Sequence, residues 1–396
     1  MPPDLPVGIH DLSFATSSLV LTHTELSKHT GANVAKYHTG IGQKAMSVPA
    51  ADEDIVTMAA DAAAPVITRH GTGRIRTLLF ATETSIDQSK AAGVYLHSLL
   101  RLPSAIRVVE LKQACYSGTA ALQFAAALVA RNPEEQVLVL ASDIASYDLD
   151  SPGEATQGAA AVAMLVSAKP ALVELCPATG LHTDDIADFW RPNYRSTAVV
   201  DGKKSAAAYL AAVDGAWRDY QARGGLPLEQ LRTVCYHQPF TRMAFKAHQQ
   251  LTNAAGIKSS NKAIESTIAP TTRYNETIGN SYTASLYLAL AAVLDGNDTL
   301  GEETIGFFSY GSGSVAEFFA GRVVPGYGDR LRTRAHRETI ARRRPIDYAA
   351  YLKLREHPLP HDGGMHLIPR QTQGNFRLCG ISNHQRLYEV VGPLSA

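Results

Sequence analysis

A helix that is apolar on every side must be covered on every side, and this chain has two of them. Gly118–Arg131 (GTAALQFAAALVAR) joins high helix propensity to an almost unbroken apolar surface, and Ser281–Leu294 repeats that small, apolar character. Each needs a layer above it and a layer below. Short runs rich in β-formers supply those layers. Ile75–Ala81 (IRTLLFA), Ile106–Leu111 and Gln136–Ser142 (QVLVLAS) read as strands buried on both faces, and Gly158–Val166 reads as another, made thin by alanine.

After about residue 170 the same order returns. Thr233–Tyr236 reads as a strand, followed by a helix from about Thr241 to Leu251 and then the second apolar helix. Ile305–Tyr310 and Ser314–Val324 read as strands joined by the turn Gly311-Ser312-Gly313. The expectation is an α/β fold with a pseudo-duplicated core and helices between two sheets. Its N-terminal half would occupy residues 1–168 and its C-terminal half 169–396. Asp329–Arg344 carries seven arginines against two acids, which suits a solvated helix face. An anion-binding patch is the sharper alternative. From Pro345 the chain reads as a surface helix and then a loop-rich tail.

At 396 residues, with 45% hydrophobic and 19% charged residues, the chain has ample material for a buried core, which excludes general disorder. Its 37 Lys and Arg balance 37 Asp and Glu, which excludes nucleic-acid binding by bulk charge. No apolar run reaches the roughly 20 residues needed to cross a bilayer. Met1–Asp11 lacks the basic and greasy segments of a secretory signal. Cys115, Cys176, Cys235 and Cys379 form no CxxC pair, so neither a zinc site nor a disulfide scaffold fits. Together these lead to the expectation of a soluble cytoplasmic protein with reduced thiols.

Five features can carry chemistry. Cys115 lies between a predicted strand and a predicted apolar helix, where the helix dipole and free backbone N–H groups favour a thiolate. Ser117, Gly118 and Ala120 leave room for a substrate beside the sulfur; the plain alternative is an inert buried cysteine. Glu83 follows the carboxyl end of a buried strand, where a raised pKa would suit it to move protons, although it could equally be a helix cap or surface acid. His237 follows the strand Thr233–Tyr236 at a place equivalent to that of Glu83, with Pro239 and Phe240 stiffening its loop. Asn280 stands before the second apolar helix, where it is also a good N-cap. The turn Ser309–Ser314 can aim backbone N–H groups at an oxyanion, or be a plain hairpin.

The set resembles the 3-hydroxy-3-methylglutaryl-CoA synthases, condensing enzymes of the thiolase superfamily. The resemblance runs from Gly8-Ile9-His10-Asp11 nearly to the C-terminus. It is most specific in TETSID (82–87), ELKQACYSGTAAL (110–122), SPGEATQGAAAVAM (151–164), DFWRPNYR (188–195), YHQPF (236–240), IGNSYTASLYL (278–288) and SYGSGS (309–314). It implies a five-layer αβαβα fold, usually homodimeric. By this resemblance Cys115 is the nucleophile, Glu83 the acid and base, and His237 the group that polarises the acceptor. Asn280 and the backbone of Ser312 are implied in oxyanion and acyl binding, and Asp87, Asp143 and Asp188 in support. Substrate contacts are implied at Tyr147, Thr156, Phe189, Pro239 and Lys246. Ser117 departs from the glycine or alanine usual after Cys-Tyr.

The implied substrates are acetyl-CoA and acetoacetyl-CoA, with no metal or organic cofactor, no nucleic acid and no membrane. Polyketide-pathway relatives that act on acyl carrier proteins keep the same Cys, Glu and His, so the motifs leave the carrier open. A ketosynthase would not require Glu83 in its loop, and a Cys-His-Asn hydrolase does not suit a duplicated α/β pattern. A binding protein would leave Cys115 unreactive.

Overall fold

A computed structural model of the chain describes residues 5–297, 299–356 and 359–392, so residues 1–4 of the N-terminal stretch lie outside it. The first half runs β1 (Gly8–Thr16), β2 (Leu19–Thr22), α1 (His23–Thr30), β3 (Ala45–Val48), α2 (Ile55–His70), β4 (Ile75–Ala81) and α3 (Ala92–Leu99). It continues through β5 (Arg107–Leu111), α4 (Ser117–Arg131), β6 (Gln136–Ile144) and β7 (Ala159–Ser167). The second begins with β8 (Val173–Thr183), the short pair β9 (Phe189–Trp190) and β10 (Val199–Val200), α5 (Gly202–Ala222) and β11 (Leu231–Tyr236). Four helices follow, α6 (Thr241–Ala254), α7 (Asn261–Thr272), α8 (Asn275–Ile278) and α9 (Ser285–Asp295), then strands β12 (Thr304–Gly311) and β13 (Val315–Val323). The chain ends with α10 (Thr333–Ala341), β14 (Arg344–Pro345), α11 (Tyr348–Glu356), β15 (His366–Leu367), β16 (Phe376–Ser382) and β17 (Gln385–Val390).

The main sheet has the order β11-β12-β13-β8-β1-β7-β6-β4-β5, and reading outward from its middle reveals a repeat. On one side β1 pairs antiparallel with β7, β7 antiparallel with β6, and β6 parallel with β4. On the other, β8 pairs antiparallel with β13, β13 antiparallel with β12, and β12 parallel with β11. Among the described residues, the two arms pair only where Gly8 and Ile9 meet Glu174 and Val173. In this repeat β4 matches β11, so the loops bearing Glu83 and His237 leave equivalent strands. The duplication expected from the order of elements is present.

The apolar helices lie where their composition requires. Ala121, Leu122, Ala125 and Val129 of α4, with Leu286–Leu294 of α9, share one core with Leu79, Val139 and Val162 of one arm and Ile305, Phe307 and Phe319 of the other. Alternate strand residues point the opposite way. Leu78, Phe80, Leu138 and Leu140 meet α2 and α3, while Val234, Phe308 and Phe318 meet α5, α6 and α7. Five layers result, helix, sheet, helices, sheet, helix. Ala159, Ala161 and Ala163 of β7 are buried in the core shared with the alanine-rich α2, so small residues on both sides let that helix lie close to the sheet.

Several expectations change. The second apolar helix does not begin at Ser281: Tyr282 takes φ 45° and opens a short 3-10 turn over Tyr282–Ala284 before α9 starts. The Arg-rich segment is not simply a solvated face. Arg332 reaches the buried Asp11 at 2.6 Å, and the buried Arg343 donates to Ser47 Oγ at 2.9 Å and Thr277 O at 2.7 Å. Arg334 does behave as a surface residue, paired along its helix with Glu338. The tail is not loop-rich, because β15, β16 and β17 form a sheet of their own. Carboxylates around the start of α2 hold it: Asp52 accepts the N–H groups of Gln371 and Thr372, Asp54 the Tyr388 hydroxyl, and Asp61 the Asn375 N–H. Among the described residues no helix is long and apolar enough to cross a membrane.

The two central helices touch through Gly118. A Cβ there would stand 2.8 Å from the carbonyl oxygen of Thr283 and 3.1 Å from the Tyr287 ring. The backbone oxygen cannot swing aside as a side chain can. Gly118→Ala is therefore expected to lower stability by about 1–3 kcal/mol, read as a lower urea midpoint with an unchanged slope.

Candidate active site

The loops leaving β4, β5, β6, β11 and β12 converge, as ligand sites in α/β proteins do at the carboxyl ends of strands. Asp143, next to last in β6, organises the convergence and is fully buried. Its Oδ1 accepts from Thr82 Oγ1 (2.8 Å), Glu83 N (2.9 Å), Thr84 N (2.9 Å) and Thr84 Oγ1 (2.8 Å). Its Oδ2 accepts from Thr283 N (3.1 Å) and Thr283 Oγ1 (2.5 Å). One carboxylate thus ties the Glu83 loop of the first half to the turn preceding α9 in the second. Burial raises its pKa, and the six donors act against that rise.

Held in this way, Glu83 faces Cys115, whose thiol donates to Glu83 Oε2 at 3.1 Å. Burial pushes the Glu83 carboxyl up to about 8, and the charge of Asp143 adds to the effect. The thiolate expected from the helix dipole is not the resting state. Cys115 does precede α4, but burial pushes its thiol well above the ordinary value and the facing Glu83 carboxylate raises it further. Burial thus favours the protonated form of both groups.

His237 is buried and its N–H donates to Phe308 O at 2.9 Å, while its own carbonyl accepts the Tyr209 hydroxyl at 2.7 Å. Its backbone is therefore gripped from two sides. Burial lowers the imidazole to about 3, which leaves it neutral and able to donate one ring N–H. Asp188 is fully buried and accepts from Gly313 N and Tyr310 Oη, each at 3.1 Å, which fixes the turn containing Ser312. Asn280 uses its Oδ1 on Tyr282 N at 2.9 Å, so it does cap, but it caps the 3-10 turn rather than α9. Its side chain also hydrogen-bonds Tyr147, and both residues line a cavity.

That cavity, about 730 Å³, is lined by Cys115, His237, Asn280 and Ser312, and by the expected substrate contacts Tyr147, Thr156, Phe189 and Pro239. Two of the expected residues lie elsewhere. Lys246 does not line the cavity; its ammonium sits over the ring of Phe240, and Lys203 is the lining cation instead. Asp87 accepts from Tyr95 Oη at 2.8 Å and faces Arg386, so it joins the Glu83 loop to α3 and β17 and does not touch the thiol. Tyr209, Tyr282 and Ile41 line the cavity without having been singled out. The two threonines flanking Glu83 were the visible sign of the Asp143 network. Tyr209 lies in a long amphipathic helix and carried no sign at all. Among the described residues no group of three or more His, Cys, Asp or Glu is placed to hold a metal ion.

Two family models match, "Hydroxymethylglutaryl-coenzyme A synthase N terminal" over residues 2–171 and "Hydroxymethylglutaryl-coenzyme A synthase C terminal" over 177–255 and 249–362. A hydroxymethylglutaryl-CoA synthase of Enterococcus faecalis is 38% identical over 97% of this chain and 100% of its own length. The chain belongs to the hydroxymethylglutaryl-CoA synthase family. A polyketide biosynthesis 3-hydroxy-3-methylglutaryl-ACP synthase of Bacillus subtilis is 31% identical, covering 87% of this chain and 86% of its own. A crystal structure of an HMG-CoA synthase complexed with CoA superposes with a TM-score of 0.92 at 36% identity, over 98% of this chain and 100% of that one. The curacin-pathway HMG synthase with acetyl donor-ACP gives the same TM-score at 29% identity, over the same shares.

The Glu83 carboxyl has a consequence for stability. Folding raises its pKa from 4.5 to about 8, so between those values the folded protein binds more protons than the unfolded chain. This group therefore makes the fold less stable as pH rises through that window. Glu83→Gln removes the effect. The variant's stability relative to the parent is expected to grow from pH 4.5 to 8, read as a widening gap in urea midpoints; a constant gap would show an ordinary carboxyl.

Proposed function

We propose that this protein makes 3-hydroxy-3-methylglutaryl-CoA from acetyl-CoA, acetoacetyl-CoA and water. The observation that carries the reading is the 3.1 Å contact of the Cys115 thiol with Glu83, beside a cavity that His237 also lines. The Cys115 sulfur attacks the acetyl carbonyl, its proton leaves with CoA as free thiol, and an acetyl thioester forms on Cys115. Glu83 takes a proton from the acetyl methyl, and backbone donors of the Ser312 turn hold the enolate oxygen. The carbanion adds to the ketone of acetoacetyl-CoA, whose carbonyl the neutral His237 polarises. Glu83 returns its proton to the new alkoxide, and water then cleaves the Cys115 thioester to leave the free carboxylate. Every step is assigned to a side chain or backbone group of the protein, without metal or organic cofactor.

Free CoA is the carrier in this reading, supported by the greater identity to the Enterococcus enzyme than to the carrier-protein enzymes. Intact-mass measurement decides it: Cys115 should gain an acetyl group from acetyl-CoA. Loading from an acetylated carrier protein but not from acetyl-CoA would assign the enzyme to polyketide branching.

Glu83→Ala should still become acetylated, since both the charge and the hydrogen bond of Glu83 hold the thiol pKa up. Carbon–carbon bond formation should fall by about 10²-fold or more. Cys115→Ala should lose both steps. Normal condensation by Glu83→Ala, measured as CoA release with both substrates, would remove the base from this scheme.

A homodimer belongs to the same proposal. β5 ends the main sheet with an open edge, and beside it Val109 is 38% and Phe124 54% exposed. Two copies pairing β5 to β5 about a twofold axis would satisfy that edge and cover both side chains. Light scattering should give twice the chain mass, and Phe124→Glu should lower it toward one. A dimer unmoved by that substitution would place the interface elsewhere.

A further inference from the structure

We propose that Glu317 is a positioning residue for this reaction: acting through Tyr116, it sets the spacing between the Cys115 thiol and the Ser312 turn. The inference rests on the reading of Cys115 as nucleophile.

Glu317 is the third residue of β13 and is 2% exposed. Its Oε2 accepts the hydroxyl of Tyr116 at 2.8 Å, and its Oε1 accepts the amide of Gln123 at 2.7 Å. Tyr116 follows Cys115 directly, and Gln123 lies about two turns further along α4. One carboxylate therefore grips the start of the helix that presents the sulfur. The same strand begins just past the hairpin turn that carries Ser312.

That hairpin already presses on the Cys115 loop. A Cβ at Gly311 would stand 2.5 Å from Gln113 O and 2.8 Å from Tyr116 N, and Gln113 Nε2 donates to Ser312 O at 3.3 Å. The backbone on both sides of Cys115 thus touches the turn proposed to hold the enolate oxygen. Packing stops the two from approaching, while a single long hydrogen bond of 3.3 Å gives only a weak hold against their separating. Glu317 supplies the tether. An acid among Phe318, Phe319 and Ala320 carries a desolvation cost that a valine at this position would avoid, and burial pushes its carboxyl up to about 7. Packing gives no return for that cost, whereas positioning does.

The test is single-turnover acetylation of Cys115 by acetyl-CoA, followed by intact mass. Glu317→Ala strands both donors and is expected to slow acetyl transfer by about 10²-fold. The acetyl-CoA concentration giving half the maximal rate should change by less than about threefold, since binding is untouched. Glu317→Gln should recover most of the rate, because its carbonyl still accepts from Tyr116 and the Gln123 amide can turn over to meet its NH₂. Tyr116→Phe alone should reproduce the slowing, and Glu317→Ala should add little in that background. If Glu317→Ala proves unfolded in urea titration, the comparison of Tyr116→Phe with Glu317→Gln decides.

Acetylation of Glu317→Ala at the parent rate, a loss confined to half-saturation, or independent effects of Glu317 and Tyr116 would each overturn the assignment. So would a Tyr116→Phe enzyme of normal rate. Wild-type protein that never gains an acetyl group on Cys115 would overturn the proposed reaction itself, and the assignment with it.

Discussion

Asp143 accepts six hydrogen bonds from two segments that lie about 200 residues apart in the chain. Without it the Glu83 loop would be an ordinary strand-to-helix connection, free to move relative to α9. With it, the backbone N–H groups of Glu83 and Thr84 and the hydroxyls of Thr82, Thr84 and Thr283 all converge on one buried anion. Such an arrangement is costly to leave half-satisfied, so it holds as a unit or not at all. The position of the Glu83 carboxyl follows from this unit, not from the side chain's own preferences.

Dryness then sets the chemistry. The displacements at Glu83, Cys115 and His237 have the same first cause, removal from water, and each favours the uncharged form. A neutral imidazole donates a hydrogen bond to a carbonyl without bringing a full charge into the cavity. A carboxyl held near 8 returns protons as readily as it takes them, which a group that works in both directions requires. A thiol kept protonated by its neighbour is released from that hold once it becomes a thioester, because the thioester no longer shares a proton with Glu83. In the proposed reaction, acylation would turn Glu83 from a restraint on the sulfur into a base for the acetyl methyl.

Much of this was legible in the residues. The two all-apolar helices demanded layers on both sides, and α4 and α9 have them. β4 matches its reading end for end, because a strand buried on both faces between turn-forming residues admits no other interpretation. Cys115, Glu83 and His237 stood out because each follows a strand. What was not legible depended on partners far away in sequence. The C-terminal sheet buries only a short apolar row, Phe376, Leu378 and Ile381, and its remaining hold comes from carboxylates of α2 and the turn before it, which no local pattern announces. Arg332 and Arg343 look like any surface arginine until Asp11, Ser47 and the Thr277 carbonyl come beside them. The raised thiol pKa required knowing that Cys115 is buried and that Glu83 faces it; the helix dipole alone pointed the other way.

The duplicated architecture explains why one half could not build the site. β4 and β11 are equivalent strands, yet one is followed by a carboxyl and the other by an imidazole. The repeat therefore offers two strand-end positions at one site: His237 lines the cavity, Glu83 stands behind the Cys115 thiol that lines it, and the proposed reaction gives each a different acid–base task. The cost is that the halves must keep register with each other, since functional groups generally need placing to within about 0.5 Å. Three devices meet that demand at three depths. Asp143 bridges the Glu83 loop to the approach of α9. Gly118 lets α4 and α9 touch backbone to side chain. Gly311, with Gln113, seats the Ser312 turn against the Cys115 loop. Each device joins one half to the other, and none joins neighbours in sequence. A site assembled across a pseudo-twofold seam is only as well ordered as the seam, and here buried polar groups hold the seam beside a core of aliphatic and aromatic side chains.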